Sequence, residues 1–530
     1  MSLAPPGTHR GVTTAADSLV LQLRTALAIA EAELAVLRPA LARIAKLEQA
    51  NAELELANAA LTKDNAELTA QNTKLSRAKE KLKVQASLNS DNSSKPPSSD
   101  ALQKKPPRPN SRVQSGKTSG GQFGHDGVNL PWDPHPKHIV DLGPTSCTCG
   151  CDVSGVATQQ SAARQVRELP VAPAVEVTEY RVHSGTCNQC GAKVSGSFPD
   201  EVKGPVSYGP RVSAWIVFLA CEQYIPLERL TVVMRTLFGI KLSQGTLVNK
   251  LHVFAQRVKV PVETILSCLG EEALLHADES GMRAEGKLHW LHVVATKLLT
   301  YYSLQTKRGT DAIDAIGLIP LFKGLLVHDF WKPYFQYPDL IHCICVAHLL
   351  RELKLADEQG QSWATPMITL LVEAHTAAKA ARAAGQERLE PALLASFLAR
   401  YQAILEQGRR DNQLPEFGPV AAGKRGAPQS KSVNLLVRFQ NYQTEIFRFA
   451  TDLKVPFDNN QAERDIRMIK TKQKISGTFR SLKTGIAFCV AKSYLSTAKK
   501  HAQDIGQAIY DAFRCSPFMP PRSRGATSAT

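Results

Sequence analysis

The chain has 530 residues, with 64 Lys+Arg against 48 Asp+Glu, a net charge of +16 and a pI near 9.3. It is too long for one compact domain, which points to about three or four, and its 43% apolar and 21% charged residues exclude a wholly disordered chain. There is no run of about 18 apolar residues and no apolar signal core near Met1, so the sequence reads as soluble and cytoplasmic with no membrane partner, while the positive excess favours a polyanion.

The first predicted element is a zipper over residues 1–88. Leu47, Leu54, Leu61, Leu68, Leu75 and Leu82 recur every seven residues, and with these at heptad position d, position a falls on Ile44, Asn51, Asn58, Asn65, Asn72 and Lys79. Leucine at d with asparagine at a predicts a parallel coiled coil and a homodimer or higher assembly through it. A buried Asn is satisfied only when its twin is in register, so it lowers stability and fixes pairing. Leu27, Leu34 and Leu41 run one position out of phase, and Pro39 among them predicts a break. Residues 89–136 form a basic Ser/Pro/Gly linker that cannot bury a core. It serves either to track DNA phosphates or as a tether.

Residues 137–204 carry two cysteine clusters: Cys147, Cys149 and Cys151, then a stretch alternating Val with polar residues, then Cys187-x-x-Cys190-Gly191. Two knuckles joined by strands describe a zinc-ribbon-like domain with Zn²⁺ held by four of these five thiols. The CxCxC of the first knuckle departs from CxxC, and a ribbon that folds without metal is the alternative. Residues 205–262 read as helical. Leu227 to Phe238 is an amphipathic run ending at Gly239, and Ser243 caps a second run, Gln244 to Arg257. That outline suits a helix-turn-helix that binds DNA, and equally a plain helical hairpin.

From residue 263 the period changes. Ala273–Ala277, Leu288–Thr296, Thr300–Leu304, Gly324–His328 and Leu340–Val346 are predicted strands, with helices at Thr310–Ile316 and from Ala347. Residues 263–356 are therefore the first part of a mixed α/β core. Residues 357–450 are a helical insertion with a loop near 418–431. Residues 451–515 complete the core with a basic helix opened by Asp458, and 516–530 are a disordered tail. From Arg464 to Lys500 there are ten Lys/Arg and one acid, Asp465.

Asp278 closes the strand in LLHADESG and Asp329 closes the strand in GLLVHDFWKPY; Glu463 lies on the helix FDNNQAERDIRMIK. Sites in open α/β sheets form at strand C-termini. Three converging carboxylates bind hard divalent cations, and two such ions about 3.5–4 Å apart clamp the attacking and leaving oxygens of a phosphodiester. At about 100° per residue, Arg467, Lys470 and Lys474 share a stripe with Glu463, while Asp465 turns away toward Arg464 or solvent. Glu279 reads as an exposed turn residue, and His276 and His328 as packed core histidines pointing away from the aspartates. Cys343 and Cys345 read as buried small residues rather than as a second metal site with His342 and His348. Trp331 and Tyr334 either stack on a base or pack in the core.

HADESG, VHDFWKPY and VPFDNNQAERDIRMIKTKQKISGTFRS resemble the catalytic blocks of insertion sequence 66 family transposases, and NSDNSSKPPSSD resembles that family's linker. The zipper, cysteine module and helical region stand in the expected order, so the resemblance covers nearly the whole chain. It implies a multidomain α+β protein with a ribonuclease-H-like α/β catalytic core split by a helical insertion. It implies a DDE transposase in which Asp278, Asp329 and Glu463 are the catalytic residues and hold two Mg²⁺ (or Mn²⁺) ions. The implied partners are terminal inverted repeats and target DNA, with strand cleavage followed by strand transfer, nucleoid association when DNA is bound, and small accessory proteins encoded nearby. His348 and Arg351 would either touch DNA or brace the site, and Arg351, Arg467, Lys470, Lys474 and Arg480 are the expected DNA contacts. Two other readings stay open: a DNA-binding regulator with an inactive core, and a ribonuclease-H-like nuclease without strand transfer.

Overall fold

The computed structural model describes residues 15–89, 92–93, 131–144, 147–155, 157, 159–167, 175–199, 202, 204–414 and 430–522. Most of the predicted linker, the loop near 418–431 and the end of the tail lie outside them. The chain divides into two units, residues 1–88 and 89–530.

The first unit is one helix, α1 (Ala15–Ser87), and Pro39 lies inside it. The expected break is therefore absent. Proline removes one N–H and kinks a helix, but the Ala- and Leu-rich turns on both sides are strong helix formers and carry the helix through. The six d-position leucines are 55% to 67% exposed on the single chain.

In the second unit the knuckle Cys187–Cys190 sits in the turn of a short hairpin, β1 (Ser184–Thr186) and β2 (Lys193–Ser195). Gly191, at φ +70°, supplies the left-handed residue that the turn needs. Next comes α2 (Pro210–Val217), which runs on through a π turn, Phe218–Glu222. It is followed by α3 (Leu227–Phe238), ended by left-handed Gly239, and α4 (Gln244–Arg257), whose N-cap Ser243 accepts from the Thr246 N–H at 3.1 Å. Ile216, Leu230, Met234, Ile240 and Leu247 form a small core among these helices. α5 (Lys259–Gly270) leads into the sheet.

The sheet has five strands: β3 (Leu274–Ala284), β4 (Lys287–Ala295), β5 (Thr300–Gln305), β6 (Leu325–His328) and β7 (Ile341–Ile344), in the order β5-β4-β3-β6-β7. The first three form an antiparallel meander, and β6 and β7 join parallel to β3. Between β5 and β6 lies α6 (Thr310–Ile316). β7 turns directly into α7 (Val346–Glu358), and a helical block follows: α8 (Ala364–Ala383), α9 (Pro391–Asp411), α10 (Lys431–Asn441) and α11 (Gln443–Thr451). This block packs on β6, β7 and α7 through a core that includes Val327, Leu353, Trp363, Tyr401 and Phe447. The chain then returns to the sheet as α12 (Asn460–Ser476), α13 (Leu482–Lys500) and α14 (Ile505–Phe513). Ile466 and Ile469 of α12 join Leu275, Ala277 and Leu291 in the main core.

β3 runs further than the sequence suggested. Asp278 does not end it; the strand continues to Ala284 because Lys287–Ala295 pairs with it as far as Ala284. On its other side β3 pairs with β6 only over Leu274–His276. β6 ends at His328, one residue before Asp329.

Candidate active site

Two acids are aligned by strand register. His276 is opposite Val327 in the parallel pair, and two further residues along each chain bring Asp278 beside Asp329. Neighbouring strands lie about 4.8 Å apart, so these carboxyls are close neighbours at the point where β6 leaves the sheet. Glu463 reaches the same place from the first turn of α12, and it and Asp329 both act electrostatically on Asp278. Burial, together with the charges of Glu279, Asp329 and Glu463, holds the Asp278 carboxyl well above the usual range. Burial also raises Asp329, against the pull of the Trp331 N–H, which donates to Asp329 Oδ1 at 2.9 Å, and of Arg308. Among the described residues no basic side chain forms an ion pair with Asp278 or Asp329. Buried, mutually repelling carboxylates without an ion-paired protein cation are a donor set that fits a hard divalent ion.

Glu463 is held differently. Its Oε1 lies 3.6 Å from His348 Nδ1 and 3.8 Å from an Arg351 guanidinium nitrogen, and its Oε2 lies 3.3 Å from Arg467. His348 and Arg351 thus lie beside the acid from α7, and His348 Nδ1 makes its closer contact with Cys345 Sγ at 3.3 Å. Cys345 Sγ, His348 and Glu463 also place one donor atom each within 4.8 Å of one another. Burial pushes the Cys345 thiol up to about 12, and its sulfur already accepts from the Asn459 N–H at 3.1 Å. It behaves as a packed thiol rather than as a ready thiolate.

Asn459 was not singled out by sequence. It is 1% exposed and holds three elements together: its Oδ1 meets His276 Nδ1 at 2.9 Å, its Nδ2 donates to the Ala277 carbonyl at 2.7 Å, and its N–H meets Cys345. Its carbonyl accepts the Glu463 N–H at 3.1 Å. The start of α12 is thereby pinned to β3 and to the head of α7. Asp458, expected as the cap, instead accepts from the Asn460 N–H, and Asn459 occupies the cap position with its side chain turned inward. The only hint in the sequence was an Asn pair just before a helix.

Of the other expectations, some are corrected and some hold. His276 stands two residues before Asp278, so strand alternation puts it on the same face, where it meets Asn459. His328 is a core histidine packed against Tyr334 and Phe335. Glu279 is no exposed turn residue. Its side chain is 1% exposed, and it accepts from Arg308 at 2.6 Å and from the Tyr334 hydroxyl at 3.2 Å. Asp465 does turn away from Glu463, but toward Lys500 at 2.9 Å and Thr300 at 3.1 Å rather than toward Arg464 or solvent. Cys343 and Cys345 are buried, and Tyr334 is core.

The basic run divides into two sets. Arg467, Lys470, Lys474 and Arg480 are exposed, as a DNA-facing role requires. Lys472, Lys492 and Lys500 turn inward. Lys472 Nζ lies 3.6 Å over the Phe479 ring and donates to the Gly477 carbonyl, and burial lowers it to about 8. In the cysteine module the Cys151 N–H and the neighbouring thiols lower exposed Cys149 to about 7, and turn N–H groups lower Cys187. No three of Cys147, Cys149, Cys151, Cys187 and Cys190 bring their sulfurs within 4.8 Å of one another.

Residues 205–487, just over half of the chain, match the family model described as Transposase IS66 family. The chain belongs to the IS66 transposase family. It is a DNA transposase, an enzyme that acts on DNA, and its family uses divalent metal ions. Residues 25–131 match a second model, described as a family of unknown function. No curated protein matches the chain. No helix among the described residues of this transposase is long and apolar enough to cross a membrane.

Proposed function

We propose that this transposase cuts DNA at the ends of its element and joins them to target DNA at the cluster of Asp278, Asp329 and Glu463, on a ribonuclease-H-like core. The observation that carries this is the register that sets Asp278 beside Asp329, with Glu463 brought to both by a separate helix. A central meander with two parallel strands added at its side, β5-β4-β3-β6-β7, supports the ribonuclease-H-like reading. The helical block between β7 and α12 is the expected insertion before the glutamate.

The three carboxylates would hold two Mg²⁺ ions, which when bound polarise the attacking and leaving oxygens of a phosphodiester. The protein's own groups do the rest. His348 is kept neutral by burial, which lowers it to about 3, so it lies beside Glu463 without adding a charge there. Arg351 and Arg467 flank Glu463, and Arg467, Lys470, Lys474 and Arg480 would track the DNA backbone, each phosphate contact adding to salt dependence. The helices around 205–262 and the cysteine module would read the terminal inverted repeats. The leucine seam of α1 would pair two protomers and so hold two ends together.

The test is cleavage of a labelled duplex carrying the element's end, taken from the inverted repeats flanking the gene. Wild-type protein should cut it in Mg²⁺ and, supplied with target, join the 3′ end. Asp329→Asn should bind it equally well and leave it uncut. Cutting by Asp329→Asn at the wild-type rate would refute the assignment, and cutting without joining would favour a nuclease.

A further inference from the structure

On the face of β3 opposite Asp278 lies a second built constellation. Arg308, three residues beyond the end of β5, donates to the buried Glu279 carboxylate at 2.6 Å. Its guanidinium carbon lies 4.7 Å from the ring centroids of both Trp290 and Trp331. Glu279 is fixed in turn by the Tyr334 hydroxyl. The Trp331 ring meets the Tyr334 ring edge-on at 5.3 Å, and its backbone N–H donates to Asp329 Oδ1. An otherwise flexible side chain is thus held by one ion pair and two aromatic faces, yet remains 41% exposed. A guanidinium has five N–H donors, and only one bond of Arg308 to a protein acceptor is present among the described residues. Its field also reaches Asp329.

Pairing with Glu279 occupies one donor of a guanidinium that stays 41% exposed, so the other donors are open to a ligand. Planar, stacked and oriented, Arg308 suits bidentate recognition of a phosphodiester. Through its effect on Asp329 it adds a cation near the acids, besides Arg351 and Arg467 at Glu463. We propose that Arg308 is a phosphate-binding residue of the active site, which grips the DNA backbone beside the cleaved bond, and that Glu279 and the two tryptophans are its positioning residues. This rests on the acid cluster being the cleavage site.

The experiment compares full-length wild type with Arg308→Ala, Arg308→Lys, Glu279→Gln and the double variant Glu279→Gln/Arg308→Ala. Single-turnover cleavage of the element-end duplex is measured in Mg²⁺, and affinity in Ca²⁺ as a function of salt. Losing a charge-assisted phosphate contact should slow Arg308→Ala by about 10–100-fold. The salt slope should fall by about one phosphate. Arg308→Lys should regain the salt slope but only part of the rate. Glu279→Gln, which loosens Arg308 without removing it, should lose less than Arg308→Ala. The double variant, which carries no buried carboxylate left unpaired and so keeps the test valid if Arg308→Ala folds poorly, should be as slow as Arg308→Ala. A double variant as fast as Glu279→Gln would overturn the proposal, since Arg308 would then only neutralise Glu279. Asp278→Asn separates the two levels: if it still cuts, the acid cluster is wrong; if it is dead while Arg308→Ala cuts at the wild-type rate, only the role of Arg308 fails.

Discussion

Asp278→Asn should make the metal-free protein more stable while abolishing cleavage. Asp278 is buried among Glu279, Asp329 and Glu463, with no basic partner. Two carboxylates about 5 Å apart at an effective dielectric near 20 repel by about 3 kcal/mol. The amide keeps the shape and removes that repulsion, which corresponds to a Tm gain of roughly 5 °C. The effect carries a pH signature. Asp278 has a folded pKa above its unfolded value, so the fold binds the proton more tightly, and stability is lost as pH rises from about 4 through the folded pKa. Glu279, pushed up to about 7, acts in the same sense between about 4.5 and 7, for about 3 kcal/mol. Buried His292, His328 and His348, lowered to about 4, 3 and 3, act oppositely and cost stability as pH falls below 6.5. These histidine contributions cancel when variant and wild type are compared at each pH. Thermal melts in EDTA should therefore show no difference near pH 4 and a stabilised variant by pH 8. Mg²⁺ should raise the wild-type Tm and close the gap. A variant less stable than wild type at pH 8 in EDTA, or one that cuts DNA normally, would refute the reasoning.

Glu463→Gln should reduce cleavage by about a thousandfold, roughly 4 kcal/mol of barrier. Asp465→Asn should instead keep the rate and lower the Tm, by about 1–3 kcal/mol of stability, because Lys500 loses its carboxylate but keeps the Thr296 and Leu299 carbonyls; a folded but dead Asp465→Asn enzyme would show the wrong acid was chosen. Metal analysis of the purified protein should find about one zinc per chain, lost when Cys187 and Cys190 both become Ser; a zinc-free wild type would mean a ribbon that folds without metal. Replacing Leu61 and Leu68 with Pro should convert a dimer into a monomer in sedimentation, and a wild type already monomeric at high concentration would refute the zipper.

Much of the fold was legible because its signals are local. The end of α3 at Gly239 and the Ser243 cap of α4 follow from backbone chemistry within a few residues, and α6 and the strands follow from short-range periodicity. The heptad seam of α1 was visible for the same reason, although Pro39 misled, since a long strong helix outweighs one missing hydrogen bond. Asp278, Asp329 and Glu463 stood out because each is a carboxylate beside an apolar strand or at the start of a basic helix. What each acid touches was decided only by tertiary structure. Asp465 and Glu463 share a helix turn, but only the packing of α12 on the sheet gives one of them Lys500 and the other His348 and Arg351. Asn459 pins three elements separated by up to 183 residues, and Arg308 meets a glutamate 29 residues before it. Such partners leave no periodic trace, because long-range register and burial, not spacing along the chain, bring them together.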